Sequence, residues 1–131
     1  MFSQFKNEIR TQSGKTIIDI TELVTGALQR CGQVEGLINV FTPHTTACVT
    51  INERDEALWR DITGKLASLV EPNGGYKHRP NADAHIMASI IKPSVTIPFT
   101  KGTLNLGTYQ RVLFIDLDGP RTRDVIITIT G

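Results

Sequence analysis

The chain has little cysteine, few aromatics and no excess of either charge. Only Cys31 and Cys48 occur among its 131 residues, both inside apolar periodic stretches. Two thiols so placed make no disulfide framework, and each is expected to be a reduced, small hydrophobic side chain. Lys plus Arg number 14 against 13 for Asp plus Glu, a net charge of +1. Neutralising phosphates takes clustered cations, so this balance argues against a nucleic-acid partner. No run approaches the ~18 consecutive apolar residues of a membrane-spanning helix, so no membrane partner is expected. The opening MFSQFKNEIR lacks a basic head followed by an apolar stretch. It is not read as a secretory signal, and a cytoplasmic protein is expected. Linkers, repeats and low-complexity tracts are also missing.

What is present is β-branched. Val, Ile and Thr number 8, 15 and 16, about 30% of the chain, a composition that favours strands. The length predicts a single domain over residues 1–131. Residues 3–11 alternate, with Phe5 and Ile9 on one face, and turn at Ser13-Gly14 into KTIIDI, an expected N-terminal hairpin. Thr21 is the expected cap of a helix whose stripe is Leu23, Val24, Ala27, Leu28 and Cys31, with Gly32 as its stop. GLINVFT and TACVTIN read as strands on either side of Pro43-His44. Asn52 is the expected cap of a second helix, with Asp55 reaching back. Leu58, Trp59, Ile62, Leu66 and Val70 recur there at helical spacing, and Trp59 and Met87 are expected in the core.

The Gly/Pro-rich run EPNGGYKHRPNA is the longest loop, and loops of that length in compact domains are often functional. Asn81 then caps a third helix, ADAHIMASII, ending before Pro93. SVTIP, TYQRVLFIDLD and RDVIITIT complete an α+β domain, a mostly antiparallel sheet or sandwich of about seven strands with three helices. A hairpin turning at Gly119-Pro120 would set Val112 against Ile127, Phe114 against Val125, Asp116 against Arg123 and Asp118 against Arg121. Every such cross-strand pair is chemically compatible. The opposite face of these strands is also apolar, so it needs cover from helices or another subunit.

Three histidines draw attention by placement. His78 lies in the long loop, and His85 in the first turn of the Asn81-capped helix. The helix rises ~6 Å from residue 81 to 85, and the chain back to His78 reaches at most ~10 Å, so the two rings can meet. If the loop folds over the strand that His44 begins, all three converge. Three imidazoles with an open fourth position describe a catalytic zinc centre. The plain alternative is three separate surface or capping histidines. The helix N-terminus keeps His85 neutral but opposes a metal's charge, which Asp83 could offset.

Glu53 is a candidate general base. The alternative is that Glu53, Asp55 and Glu56 merely answer the helix macrodipole. Along a straight strand His44 and Glu53 lie ~30 Å apart, so they share a site only through a bend or across a subunit boundary. Arg121 and Arg123 are candidates to hold a phosphate or carboxylate, with salt bridges to Asp118 and Asp116 as the alternative. Gln110 and Asn81 are candidate substrate contacts, or else caps and backbone partners.

The segments PHTTACVTINE, HRPNADAH, GTLNLGTYQ and DGPRTRDV together resemble the YjbQ-like family, also called the secondary thiamine-phosphate synthase family. The likeness runs from about Phe5 to the C-terminus, with Tyr109 where the family has Trp and Thr46 where it has Ser. The resemblance implies a compact α+β fold assembling as a homotrimer. It implies a cleft where His44, His78 and His85 gather around a divalent metal, with zinc the expected ion, and with Glu53 in the same pattern. It further implies an enzyme acting on a phosphorylated small molecule, with a secondary activity joining a pyrimidine diphosphate to a thiazole phosphate. The chain has no Gly-rich phosphate loop and no DDxxD-like pair. A helix N-terminus near Asn81, a metal, and Arg121 with Arg123 are what it offers a phosphate. The alternative is a non-catalytic trimer that binds a metal or small ligand.

Overall fold

The computed structural model describes residues 1–131, and its eight strands and three helices stack as two sheets with helices around them. The elements are β1 (Phe2–Arg10), β2 (Gly14–Asp19), α1 (Thr21–Cys31), β3 (Gly36–Phe41), β4 (Ala47–Asn52), α2 (Glu56–Leu69), α3 (Ala82–Ile91), β5 (Ser94–Thr100), β6 (Thr103–Leu104), β7 (Arg111–Gly119) and β8 (Thr122–Thr130). One sheet runs β1-β8-β3-β5-β6 and the other β2-β7-β4, and every pairing is antiparallel. The short β6 lies inside the TLNLG stretch, which is too brief to show strand periodicity.

Neither expected hairpin forms. β1 pairs with β8 and β2 with β7, so the turn at residues 11–13 crosses from one sheet to the other. The Gly119-Pro120 turn does the same, carrying the chain from β7 to β8. β7 and β8 have no edge left for each other, since β7 lies between β2 and β4, and β8 between β1 and β3; β1 and β2 are edge strands of opposite sheets. The expected partners still meet, but across the sandwich. Val112, Phe114, Val125 and Ile127 are all solvent-free members of one central core, and Asp116 pairs with Arg123.

That core is closed by α1 through Val24, Ala27 and Leu28, with Leu23 and Cys31 packing at its margin. Gly32 ends the helix in the left-handed region, at φ 69°, where the missing Cβ removes the steric cost. Thr21 is not the cap: it is already helical, and Asp19 Oδ1 accepts from its amide and its hydroxyl. Both faces of β7 are buried because α3 covers the far side, where Met87, Ala84 and Ala88 pack on Cys48, Ile115 and Leu117. This is the helical cover that the doubly apolar strand required. Both thiols are free, and burial pushes that of Cys48 up to about 12, with the Asp116 charge adding to the effect.

α2 departs furthest from expectation. Its cap is Asp55, whose side chain accepts from the amides of Ala57 and Leu58, not Asn52, which accepts from the adjacent Glu53 amide instead. No residue of α2 is fully buried, and Trp59 is half-exposed rather than in the core. Helix stability in proteins comes mainly from packing an apolar face, and α2 has only part of that support within one chain.

Candidate functional site

His85 is the hub of the candidate site. α3 presents it from its first turn, and the loop before the helix folds back so that His78 meets it edge to face, with ring centroids 4.8 Å apart. His85 also lines a cleft of about 570 Å³ with His44, Thr45, Asn81 and Arg121. A second, adjoining cleft of about 410 Å³ runs from His44 and His85 to Phe41 and Pro93. A third, of about 450 Å³, lies on the His78 side and is bounded by Tyr76, Ala82 and Ile86. The β4 entrance and the loop thus each meet α3 at His85, His44 from one side and His78 from the other.

The three imidazoles do not close into one ligand set. His44 Nε2 accepts the backbone amide of Asp124 at 3.0 Å. A neutral imidazole has one lone-pair nitrogen, so the His44 proton sits on Nδ1 and its acceptor is occupied. The Asp124 carboxylate stands 3.9 Å from the same nitrogen. No group of three or more His, Cys, Asp or Glu side chains is arranged to hold a metal ion. His78 and His85 stand side by side, edge to face, and His44 does not join them as a third ligand in this arrangement. Asp83 is buried and faces Lys15 at 3.4 Å, so its charge is already matched by a lysine.

The two arginines part company. Arg121 is exposed and steadied by Asp118, with Nη2 to Oδ2 at 3.0 Å and Nε to the carbonyl at 2.9 Å. Its Nη1 makes no bond within the protein and is free for a ligand. Arg123 is 3% exposed and is held by both Asp116 oxygens and by Thr46. It forms part of the cleft floor. Asn81 occupies the N-cap position of α3 as expected, but its side chain makes no capping hydrogen bond; its Nδ2 donates to Asp118 Oδ2 at 2.8 Å. Burial pushes the Asp118 carboxyl up. Hydrogen bonds from Asn81 and Arg121, with the two arginine charges, outweigh this and hold it below the ordinary range.

Glu53 and Gln110 lie elsewhere. Gln110 Oε1 accepts from the Gly107 amide and closes a local turn before β7. Glu53 follows the last residue of β4, whereas His44 precedes the first. The six residues of β4 span about 20 Å, so the strand separates them. Asp124 and Thr45 were not found from the sequence. Asp124 meets His44 from 80 residues away, a distance no local pattern signals.

The molecule is thus a two-sheet α+β sandwich with a histidine- and arginine-lined cleft at one end of β4. The sequence profile described as UPF0047 protein YjbQ-like matches residues 5–131, and the chain belongs to that family. A UPF0047 protein of Archaeoglobus fulgidus is 45% identical over 123 residues, covering 91% of this chain and 94% of its own. The UPF0047 protein YugU of Bacillus subtilis is 34% identical over 127 residues, covering 95% and 96%. The crystal structure of a hypothetical protein from Aeropyrum pernix K1 superposes with a TM-score of 0.96 at 39% identity, covering 98% of each chain. A YjbQ/UPF0047 protein of Clostridium acetobutylicum gives 0.94 at 41%, covering 96% of this chain and 99% of that one. No helix is long and apolar enough to cross a membrane.

Proposed function

We propose that this chain is an enzyme of small-molecule metabolism that takes a phosphorylated substrate into the cleft between His44, His85, Asn81 and Arg121. One observation carries the reading: an exposed guanidinium with a free Nη1 and two imidazoles line the same polar cleft of about 570 Å³. That volume suits a small metabolite. A guanidinium is the side chain best matched to phosphate oxygens, and imidazole is the commonest proton carrier near neutral pH. Arg121 holds the phosphate and Asp118 fixes the angle of its fork. His85, with no side-chain bond to another element, moves the proton. His44 donates from Nδ1, its other nitrogen being held by Asp124.

A divalent ion, zinc by the character of the donors, would take His78 and His85 and would polarise a substrate oxygen. The chain's own groups suffice for binding and proton transfer in this scheme. The secondary joining of a pyrimidine diphosphate to a thiazole phosphate is one reaction the same cleft could accommodate, since both partners are phosphorylated.

The test is titration calorimetry and turnover against phosphorylated metabolites, including that pair, with inorganic phosphate as the minimal probe. Wild-type protein is expected to bind, and Arg121→Ala to bind at least tenfold more weakly. His85→Ala should keep binding and lose turnover. Binding without turnover by the wild type would make the chain a non-catalytic ligand-binding protein. Unchanged phosphate affinity in Arg121→Ala would sink the cleft assignment.

A further inference from the structure

α2 and β2 meet without closing on each other. The helix lies against the strand, yet neither element has a fully buried residue. The ladder between β2 and β7 shifts register between Gly14 and Thr16, so Lys15 has no partner in it. A break of this kind re-aims the side chains beside it. Between α2, β2 and the end of β1 there remains a cavity of about 590 Å³. It shares no lining residue with the three cavities around His85.

The charge in this cavity is left unused. Arg10 from β1 and Arg60 from α2 both line it, both are exposed, and neither takes part in an ion pair. Glu56 is the one acid lining it. It is unpaired as well, although it precedes Arg60 by one helical turn, the spacing at which such pairs form. Lys15 is already matched by Asp83 at 3.4 Å. Two free guanidiniums thus outweigh one free carboxylate. A guanidinium can bind phosphate oxygens two at a time, and a phosphomonoester carries close to two negative charges near neutral pH.

Trp59 adds a flat apolar surface beside these charges. Its ring is half-exposed and lines the cavity, and its Nε1 donates to the Glu53 carbonyl at 3.0 Å. The indole is therefore held in place without being covered. Aromatic rings so placed stack against planar ligands. Thr16 lines the cavity too, and its hydroxyl is shut off from solvent with no hydrogen-bond partner. An unpaired buried hydroxyl is costly, and a single rotamer step re-aims it.

We propose that this cavity is a second small-molecule site, which takes a phosphomonoester bearing a flat ring. The phosphate lies between Arg10 and Arg60, and the ring lies on Trp59. The Thr16 hydroxyl turns to the bound molecule for its partner, and Glu56 opposes the phosphate and keeps the affinity modest. The volume falls in the ordinary range for small-molecule sites. Nothing in this assignment uses the histidines or Arg121, so it stands apart from the reading of the His85 cleft.

Trp59 is the only tryptophan of the chain, so its fluorescence reads this cavity directly. Phenyl phosphate and adenosine monophosphate are expected to change Trp59 emission saturably at millimolar concentration or below. Glycerol phosphate, which has no ring, and benzoate, which has no phosphate, should each bind at least tenfold more weakly. Arg10→Gln and Arg60→Gln should each weaken phenyl phosphate at least fivefold. Glu56→Gln should tighten it about threefold, because a repelling charge is gone. All three side chains are exposed, so the fold should survive their replacement. Arg121→Ala should leave the titration unchanged.

Wild-type emission that responds to neither phenyl phosphate nor adenosine monophosphate overturns the proposal. So does unchanged affinity in both arginine variants. Benzoate binding as tightly as phenyl phosphate would make this a carboxylate site and remove the phosphate from it. A response lost in Arg121→Ala would move the ligand to the His85 cleft and overturn the proposal equally.

Discussion

Arg123 Nη2 lies 2.8 Å from Asp116 Oδ1, although the two residues belong to strands of opposite sheets. The pair spans the interior of the sandwich, with Asp116 solvent-free and Arg123 nearly so. Thr11 donates to the carboxylate, Thr46 accepts from the guanidinium, and the Asp118 amide donates to Asp116 Oδ1. Each charge is thus compensated by a partner charge and by hydrogen bonds, which is what a buried ion pair needs.

Removing one member should therefore be costly. Arg123→Ala leaves the Asp116 carboxylate buried without its counter-charge, and such truncations cost about 3–5 kcal/mol. Urea denaturation should show a large drop in midpoint. Arg123→Met with Asp116→Leu should recover much of that loss, because two apolar groups leave no orphan charge. A single variant as stable as the wild type would contradict the account.

Acid should destabilise the fold over a defined range. Burial pushes the carboxyls of Asp19, Asp116 and Asp118 up, but in each case hydrogen bonds and neighbouring arginines outweigh it and hold the group below its ordinary value. A depressed folded pKa adds stability that is fully present above the unfolded value of about 3.9 and is lost as pH falls through the folded values. Urea midpoints for these groups should be level from pH 7 to about 5 and fall below about 4. In Arg123→Met with Asp116→Leu the acid slope should be shallower.

The His44 ring should act as a fixed acceptor. Truncation to Ala leaves the Asp124 amide without its partner, at a cost of about 1–3 kcal/mol if water does not replace it. Amide exchange at Asp124 should speed up in His44→Ala, and nitrogen NMR of the neutral wild-type ring should place the proton on Nδ1. A proton found on Nε2 would rule out the observed hydrogen bond.

α2 should be the least protected helix in an isolated chain. It has no fully buried residue, and its first turn depends on the Asp55 cap. Asp55→Ala should cost about 1 kcal/mol. Amide exchange in α2 should be faster than in α1, whose Val24, Ala27 and Leu28 lie in the core. Equal protection of the two helices would count against this picture.

Much of the interior was legible beforehand because side-chain direction is a local property. Strands alternate with period two and helices with about 3.6. Alternation alone turns Val112, Phe114, Asp116, Arg123, Val125 and Ile127 toward one interior. The α1 stripe and the Gly32 stop follow from spacing and chain chirality in the same way. The caps were harder. Asp55 does what was expected of Asn52, while at α1 the cap position falls to Ile20 and Asp19 accepts from the Thr21 amide; several polar residues stand near each helix start, and the sequence does not select among them.

Strand partnership lay beyond local pattern. Residues that face one another across a sandwich and residues that sit side by side in a hairpin show the same alternation and the same complementary pairs, so the Asp116–Arg123 match holds in either arrangement. Which edges hydrogen-bond depends on strands more than 100 positions away, as β1 and β8 are. The same holds for the site. Sequence put His78 near His85 through one short helix and loop. Only the tertiary structure set His44 against the Asp124 amide, turned Arg123 inward, left Arg121 facing the cleft, and parted Glu53 from all of them by the length of β4.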